Sequence, residues 1–398
     1  MFTMLLVVFI DLVGFGVIIP LLPFYGIHFG ASPLTVALLL STFSGLQLIA
    51  APIWGRLSDR VGRKPIVLLS LVTSVLAYLW LARADALWML FAARALQGIS
   101  AGNISVTQAY VADVTSVENR AKGMGMMGAA FGLGFIVGPA LGGHLAGASP
   151  TDFSVALPSY VAAGLSGLGF IVAVFALKES LPLEHRMALG QAPSRLGLVA
   201  DALSRPRLRL LMLLFFTTTC AFAAMETTFG LWALARFHWG PRPVADIFVW
   251  VGVLLVIVQG GLVRPLNKHL GGPRMLLIGT VLIAAGLALL AAAFTVPLGV
   301  AAAGLLAIGM GITQPATSSL VSFEASVSEQ GGIMGVNQSV GSLARIIGPT
   351  IGGFAFNDWG PGAPYVLGAI AMLVSSWLAL RVVRNHRGAA GVAQSANG

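Results

Sequence analysis

Gly55-Arg56-Leu57-Ser58-Asp59-Arg60-Val61-Gly62-Arg63-Lys64-Pro65 is a compact charged stretch between two long apolar runs. Four of its residues are basic, one is acidic and two are glycine. Glycines permit a tight turn between helices, and Asp59 can accept from backbone N–H groups or from arginine. Basic groups concentrated between apolar runs hold a loop on one side of a membrane. Such a loop fixes orientation and can also latch one helix bundle against another.

The rest of the chain supplies the contrast. Its 398 residues are 57% apolar and only 9% charged, with a mean hydropathy of +0.90. A soluble domain carries about 25% charged residues. The fold class is therefore an all-α polytopic membrane protein. The net charge of +9 does not point to nucleic acid, because the basic residues fall in short loops between apolar runs. The single cysteine, Cys220, lies in an apolar run and excludes an internal disulfide. The first apolar run reads as a span rather than a cleaved leader.

Twelve apolar segments of about 20 residues are long enough to span. They fall near 3–26, 34–54, 65–83, 87–110, 121–146, 156–177, 209–234, 243–265, 274–293, 297–321, 332–356 and 363–383. The longest polar interval, 178–208, divides them into two six-helix bundles, 1–177 and 209–384. Residues 385–398 form a small polar tail, expected to be disordered. Of the 23 Lys and Arg, Arg83, Arg236 and Arg242 fall on one side, Arg94 and Arg345 fall inside spans, and the other 18 share the opposite side. That bias places both termini and the central segment in the cytoplasm of a multi-pass cell-membrane protein. Many arginines, alanines and glycines with few lysines point to a GC-rich bacterial source, hence a bacterial inner membrane.

An internal repeat supports the halving. Gly134-Phe135-Ile136-Val137-Gly138-Pro139-Ala140-Leu141-Gly142-Gly143 in span five corresponds to Ala344-Arg345-Ile346-Ile347-Gly348-Pro349-Thr350-Ile351-Gly352-Gly353 in span eleven. Both spans are fifth in their halves, as in a parallel duplication of six spans.

With these motifs the chain resembles the major facilitator superfamily over essentially its whole length. Gly55–Pro65 looks like that superfamily's signature between spans two and three. Arg94-Ala95-Leu96-Gln97-Gly98 resembles its R-x-x-Q-G motif in span four. Gly134-x-x-x-Gly138-Pro139-x-x-Gly142-Gly143 is similar to the antiporter motif. Asp11-x-x-Gly14-x-Gly16-x-x-x-Pro20-Leu21-x-Pro23 is similar to the signature of twelve-span drug/proton antiporters. The run from Arg94 through Ala109-Tyr110-Val111-Ala112-Asp113 to Gly143 most resembles tetracycline-resistance-type efflux proteins. One departure is span nine, Met275 to Phe294, which carries no charge where the tetracycline pumps are expected to carry an acid.

Individual residues extend the reading. Asp11 lies inside span one, where a carboxylate costs on the order of 2.5–3.5 kcal/mol and so faces a cavity or a partner. It is the candidate proton carrier. Arg94 stays protonated and is the candidate tuner of that carboxylate, or alternatively a structural clamp. Glu226, among Phe222, Phe229 and Trp232, suits a hydrophobic, partly cationic substrate, or else snorkels to the interface. Arg345 breaks the repeat at Phe135 and needs an acidic, substrate or carbonyl partner. Gln97, Asn103, Gln314 and Asn337 are polar positions that line a cavity if they face inward. Gly55, Asp59, Arg60, Gly62, Arg63 and Lys64 form the candidate cytoplasmic gate. Gly134, Gly138, Pro139, Gly142, Gly348 and Pro349 form a candidate hinge and seal, a role that plain small-residue packing predicts equally well.

No metal-ligand spacing, P-loop or nucleophile–base constellation is present, so no cofactor, metal or enzymatic activity is expected. The function implied by the resemblance is proton-coupled efflux of small amphipathic compounds or drugs, tetracycline-like ones among them, by alternating access. A proton-independent facilitator or importer of a small metabolite is the alternative. The partners are a small-molecule substrate, protons and the lipid bilayer. Twelve spans suffice for a monomer.

Overall fold

A computed structural model of the protein describes residues 1–116, 120–181, 195–325 and 329–395. Among them every regular element is helical. The first half contains α1 (Phe2–Ile18), α2 (Leu22–His28), α3 (Pro33–Val61), α4 (Arg63–Ala82), α5 (Leu87–Ala101), α6 (Ile104–Asp113), α7 (Arg120–Ala146) and α8 (Ala156–Ala176). The second contains α9 (Arg195–Ser204), α10 (Pro206–Phe237), α11 (Pro241–Ile257), α12 (Val263–Leu270), α13 (Gly272–Ala291), α14 (Val296–Phe323), α15 (Gln330–Trp359) and α16 (Ala363–Ser395).

Among the described residues ten helical stretches are long and apolar enough to cross a membrane, counting α1–α2 and α11–α12 as single paths. Two further paths bring the arrangement to twelve. One is α5–α6, which is interrupted at Gly102–Asn103 and carries Arg94. The other is α15, diluted in hydropathy by Asn337, Gln338 and Arg345. Span four is thus two short helices, not the single segment 87–110 expected from hydropathy. Gly102 and Asn103 are poor helix formers, and side chains of α3 take up the carbonyls that the break releases.

Other irregularities also have local causes. Pro20 and Pro23 remove backbone donors, and a 3₁₀ turn, Ile19–Leu21, joins α1 to α2. Gly260 and Gly261 lie in a π-helical turn, Val258–Leu262, between α11 and α12. Ser32 caps α3 by accepting from the Thr35 N–H at 3.2 Å. The last helix, α16, runs to Ser395. No proline follows Pro364 to stop it.

Contacts distinguish two compact units. The first contains Met1–Ala192, Glu226–Gly252 and Gly352–Pro361; the second contains Pro193–Met225, Val253–Ile351 and Gly362–Gly398. Within the first, one core gathers Val17, Leu21, Tyr25, Leu39, Leu81 and Ala162. Another gathers Met4, Val7, Val67, Leu71, Val106 and Ala173. Within the second, the core runs through Leu208, Leu214, Met275, Leu276, Ile312 and Ala379. Large apolar side chains such as Ile49, Phe175, Phe323 and Leu373 are left exposed, as a lipid-facing surface requires.

The central segment is partly helical. Arg205, just after α9, grips Glu329 with both guanidinium ends, at 2.7 and 3.1 Å, and also holds Asp201 at 2.8 Å. The Glu329 carboxylate raises the basicity of Arg205 further. This fork–fork pair ties α9 to the start of α15. The middle of the segment, with Glu184 and Arg186, lies outside the described residues.

Candidate functional site

In the first unit a polar cluster forms around the break in span four. Asp11 projects from α1, and Ser166 Oγ on α8 donates to its Oδ1 at 3.5 Å. The Asn103 side chain also hydrogen-bonds Asp11. Its amide donates to Ser70 Oγ on α4 at 2.7 Å. Ser100 Oγ donates to Ser70 O at 2.8 Å and pairs with Ser74 Oγ. Asn103 reaches this network because α5 stops two residues before it, at Ala101. The released carbonyls are covered from α3: Trp54 Nε1 donates to Ile99 O at 2.6 Å, and Gln47 Nε2 donates to Ala101 O at 3.3 Å. Irregular backbone survives at membrane depth only with such partners.

Arg94 is almost wholly buried, 1% exposed, on α5. Its guanidinium lies 4.4 Å above the Phe43 ring, and Nη1 donates to Gln97 Oε1 at 2.7 Å. Arg94 Nε and Gln97 Nε2 are buried donors without a partner among the described residues, which is costly unless water or a ligand completes them. Tyr78 on α4 and Glu226 on α10 lie in the neighbourhood of Arg94, and Tyr78 lies near Asp11 too. The fold thus gathers Asp11, Arg94, Gln97, Asn103 and Glu226 in one unit. Gln314, Asn337 and Arg345 belong to the other. There Asn337 is buried with Oδ1 accepting no hydrogen bond, and Gln314 and Arg345 are exposed.

The loop Gly55–Pro65 folds into a second cluster. Gly62 turns α3 into α4 at φ +113°, a conformation that disfavours any residue with a Cβ. Arg63, buried beside it, donates to Asp59 Oδ1, to Ser58 Oγ at 2.6 Å and to Asp113 Oδ2 on α6 at 3.1 Å. Glu179, just beyond α8, accepts from the N–H groups of Arg63 and Lys64 at 2.8 and 3.2 Å. A carboxylate on these first N–H groups of α4 is favoured by the helix dipole. Lys64 Nζ donates to Val174 O at 2.8 Å. Arg56 and Arg60 are exposed. The loop's ion pairs join α3, α4 and α6, and its hydrogen bonds add the end of α8, all within one unit. In the second half Gly271 makes the same positive-φ turn, at +75°, but Lys268 stands where Asp59 would be.

The repeated glycine motifs pack in parallel ways. A methyl group on Gly138 would lie 2.6 Å from the Gly16 Cα, and one on Gly134 would lie 2.8 Å from the Leu12 Cβ. Gly348 meets the Cys220 backbone of α10 in the same manner. Gly143 packs on Arg242 and Ala245 of α11, and Gly353 packs on Pro33, Leu34 and Ala37 of α3. Each motif's last glycine thus touches the second span of the opposite sequence half. These contacts, and the Arg242 N–H to Gly147 O bond of 3.1 Å, lie at the end remote from the basic loop.

Sequence reasoning missed Tyr78, Ser70, Ser74, Ser100, Ser166 and Trp54 around Asp11, and Glu179 at the loop. A trace of the first set existed in Ser70, Ser74, Ser100 and Asn103, which are hydroxyl and amide groups inside apolar runs. Asp113 had been noted only as part of the family resemblance.

The family model described as Major Facilitator Superfamily matches residues 4–349 and 262–396. The class D tetracycline resistance protein of Salmonella ordonez is 32% identical over 364 residues, 89% of each chain. Multidrug resistance protein 2 of Bacillus subtilis (strain 168) is 31% identical over 380 residues, 94% of this chain and 92% of that one. The crystal structure of the human organic anion transporter MFSD10 (TETRAN) aligns at a TM-score of 0.71 and 26% identity, over 95% of this chain and 98% of that one.

Proposed function

Because the chain belongs to the major facilitator superfamily, we propose that it exports small amphipathic compounds, drugs included, in exchange for protons. Its relatives include tetracycline and multidrug resistance proteins, which favours export over uptake. The observation that carries the reading is Asp11. It is a carboxylate inside an apolar span, held by Ser166 and Asn103 at a helix break. Broken helices build the ion and substrate sites of such transporters.

In this scheme Asp11 takes up and releases the transported proton. Arg94 keeps its charge throughout and sets how readily Asp11 ionises. Gln97, Asn103 and Glu226 are the substrate-contacting candidates of the first unit, and Gln314, Asn337 and Arg345 those of the second. The two six-span halves alternate access about them. The loop Gly55, Asp59, Arg60, Gly62, Arg63 and Lys64 closes the cytoplasmic side in one state. Glycines 134, 138, 142 and 348, with Pro139 and Pro349, seal the spans that must not leak. The chain works as a monomer with both termini in the cytoplasm. One proton crossing a driving force of about 150 mV supplies roughly 3.5 kcal/mol, enough for a substrate gradient of a few hundredfold.

The test is accumulation of a fluorescent dye and of tetracycline in cells expressing the protein, with and without a protonophore. Accumulation should be low and should rise on uncoupling. Asp11→Asn should abolish export while the purified protein keeps its melting temperature. Wild-type export by Asp11→Asn would remove that residue from the mechanism. Export indifferent to the protonophore would favour a proton-independent facilitator.

A further inference from the structure

We propose that the surface shared by α13 and α16 is a binding site for one anionic phospholipid, in the leaflet on the side of the basic loops. The two helices pack along their lengths, and their register is antiparallel. Ser376 Oγ donates to Thr280 Oγ1 at 3.1 Å, and Gly368 lies against Leu287. Continuing that register brings Arg381 and Arg384 of α16 level with the start of α13, where Arg274 stands.

All three arginines are exposed. Each caps an exposed apolar stripe on its own helix. On α16 the stripe is Ile370, Leu373, Val374 and Trp377, followed on the same face by Arg381 and Arg384. On α13 it is Ile278 and Val281, one and two turns from Arg274. Spacings of three, four and seven residues keep each set on one helix face.

The Arg381 guanidinium lies 3.9 Å above the Trp377 ring. That contact orients the guanidinium at the depth where tryptophan anchors in the interface. No acidic residue occurs between Asp246 and Glu324 or after Asp358, so neither helix supplies a counter-charge. Of the acids on neighbouring elements, Glu329 is held by Arg205, and Glu324 lies beside Arg207. Among the described residues none of the three arginines pairs with a carboxylate. The arrangement is three cations at one end of an apolar track, which fits a phosphate headgroup with its acyl chain laid along the stripe. Basic pockets between spans on the cytoplasmic side hold anionic headgroups in this way.

Native mass spectrometry of the purified full chain tests this. The chain is titrated with phosphatidylglycerol and with phosphatidylethanolamine of identical acyl chains, and inorganic phosphate serves as a headgroup-only competitor. Phosphatidylglycerol should be retained about tenfold more strongly. The triple variant Arg274→Gln, Arg381→Gln, Arg384→Gln should bring the ratio close to one, since it removes all three cations that favour the anionic headgroup. Arg381→Lys should keep most of the preference, and Trp377→Leu should lower it two- to fivefold. Arg56→Gln with Arg60→Gln, exposed arginines elsewhere, should leave it intact. The site is refuted by equal retention of the two lipids, by a triple variant that still discriminates, by equal loss in the Arg56/Arg60 variant, or by displacement with millimolar phosphate. Melting temperatures of all variants, which change only exposed residues, should stay within a degree or two of the parent.

Discussion

Gly138→Ala puts a methyl group where the structure leaves no room. Its Cβ would lie 2.6 Å from the Gly16 Cα and 2.8 Å from the Val13 carbonyl oxygen, all backbone. Ordinary contacts begin near 3.4 Å, so α1 and α7 would have to separate by about 0.8 Å. Backbone cannot swing aside as a side chain can. Overpacking of this kind costs roughly 1–3 kcal/mol. The intrinsic helix preference of alanine over glycine returns up to about 1 kcal/mol. Gly128→Ala is the internal control: it lies on the same helix with nothing within 4 Å of the added methyl, so only the helix preference acts. Thermal unfolding in detergent, followed by intrinsic tryptophan fluorescence, should show Gly138→Ala melting several degrees below the parent and Gly128→Ala at or above it. A Gly138→Ala protein that melts with or above Gly128→Ala would refute the close-approach argument.

Two further outcomes follow from the loop and the break. Arg63→Ala strands Asp59 and Asp113 beside a vacated site; because those carboxylates are 37% and 23% exposed, the loss should be about 2–3 kcal/mol rather than the larger figure for a fully buried pair. Arg60→Ala, exposed, should stay within about 0.5 kcal/mol of the parent, and equal melting temperatures for the two would contradict the assignment. Trp54→Phe removes the indole donor to Ile99 O at the break in span four, leaving that carbonyl only the Gly102 N–H at 3.3 Å, and should cost about 1 kcal/mol; Trp88→Phe, at an exposed site, should cost nothing measurable.

Hydropathy and charge placement made the class and most spans legible, because membrane burial imposes one solution on long apolar runs. Span four shows the limit. Its composition reads as continuous, and the break at Gly102–Asn103 depends on Trp54 and Gln47 reaching it from α3. No window along the sequence contains those partners. Arg63 is similar. The sequence marked it as one basic residue of four, and only packing buries it among Asp59, Asp113 and Ser58 while Arg56 and Arg60 stay outside.

By itself the sequence determined an all-helical membrane chain, the family, the repeat of the glycine–proline motif and the presence of costly charges at Asp11, Arg94, Glu226 and Arg345. These are properties of composition, spacing and local transfer energy, all of which can be read one segment at a time. The tertiary structure decided which of those charges share a unit, that Asn103 and Ser166 hold Asp11, that Arg94 and Gln97 keep unpaired donors, and that Glu179 caps α4. Those facts depend on contacts between residues as many as 155 positions apart, and the free energy of such contacts exists only once the helices have packed.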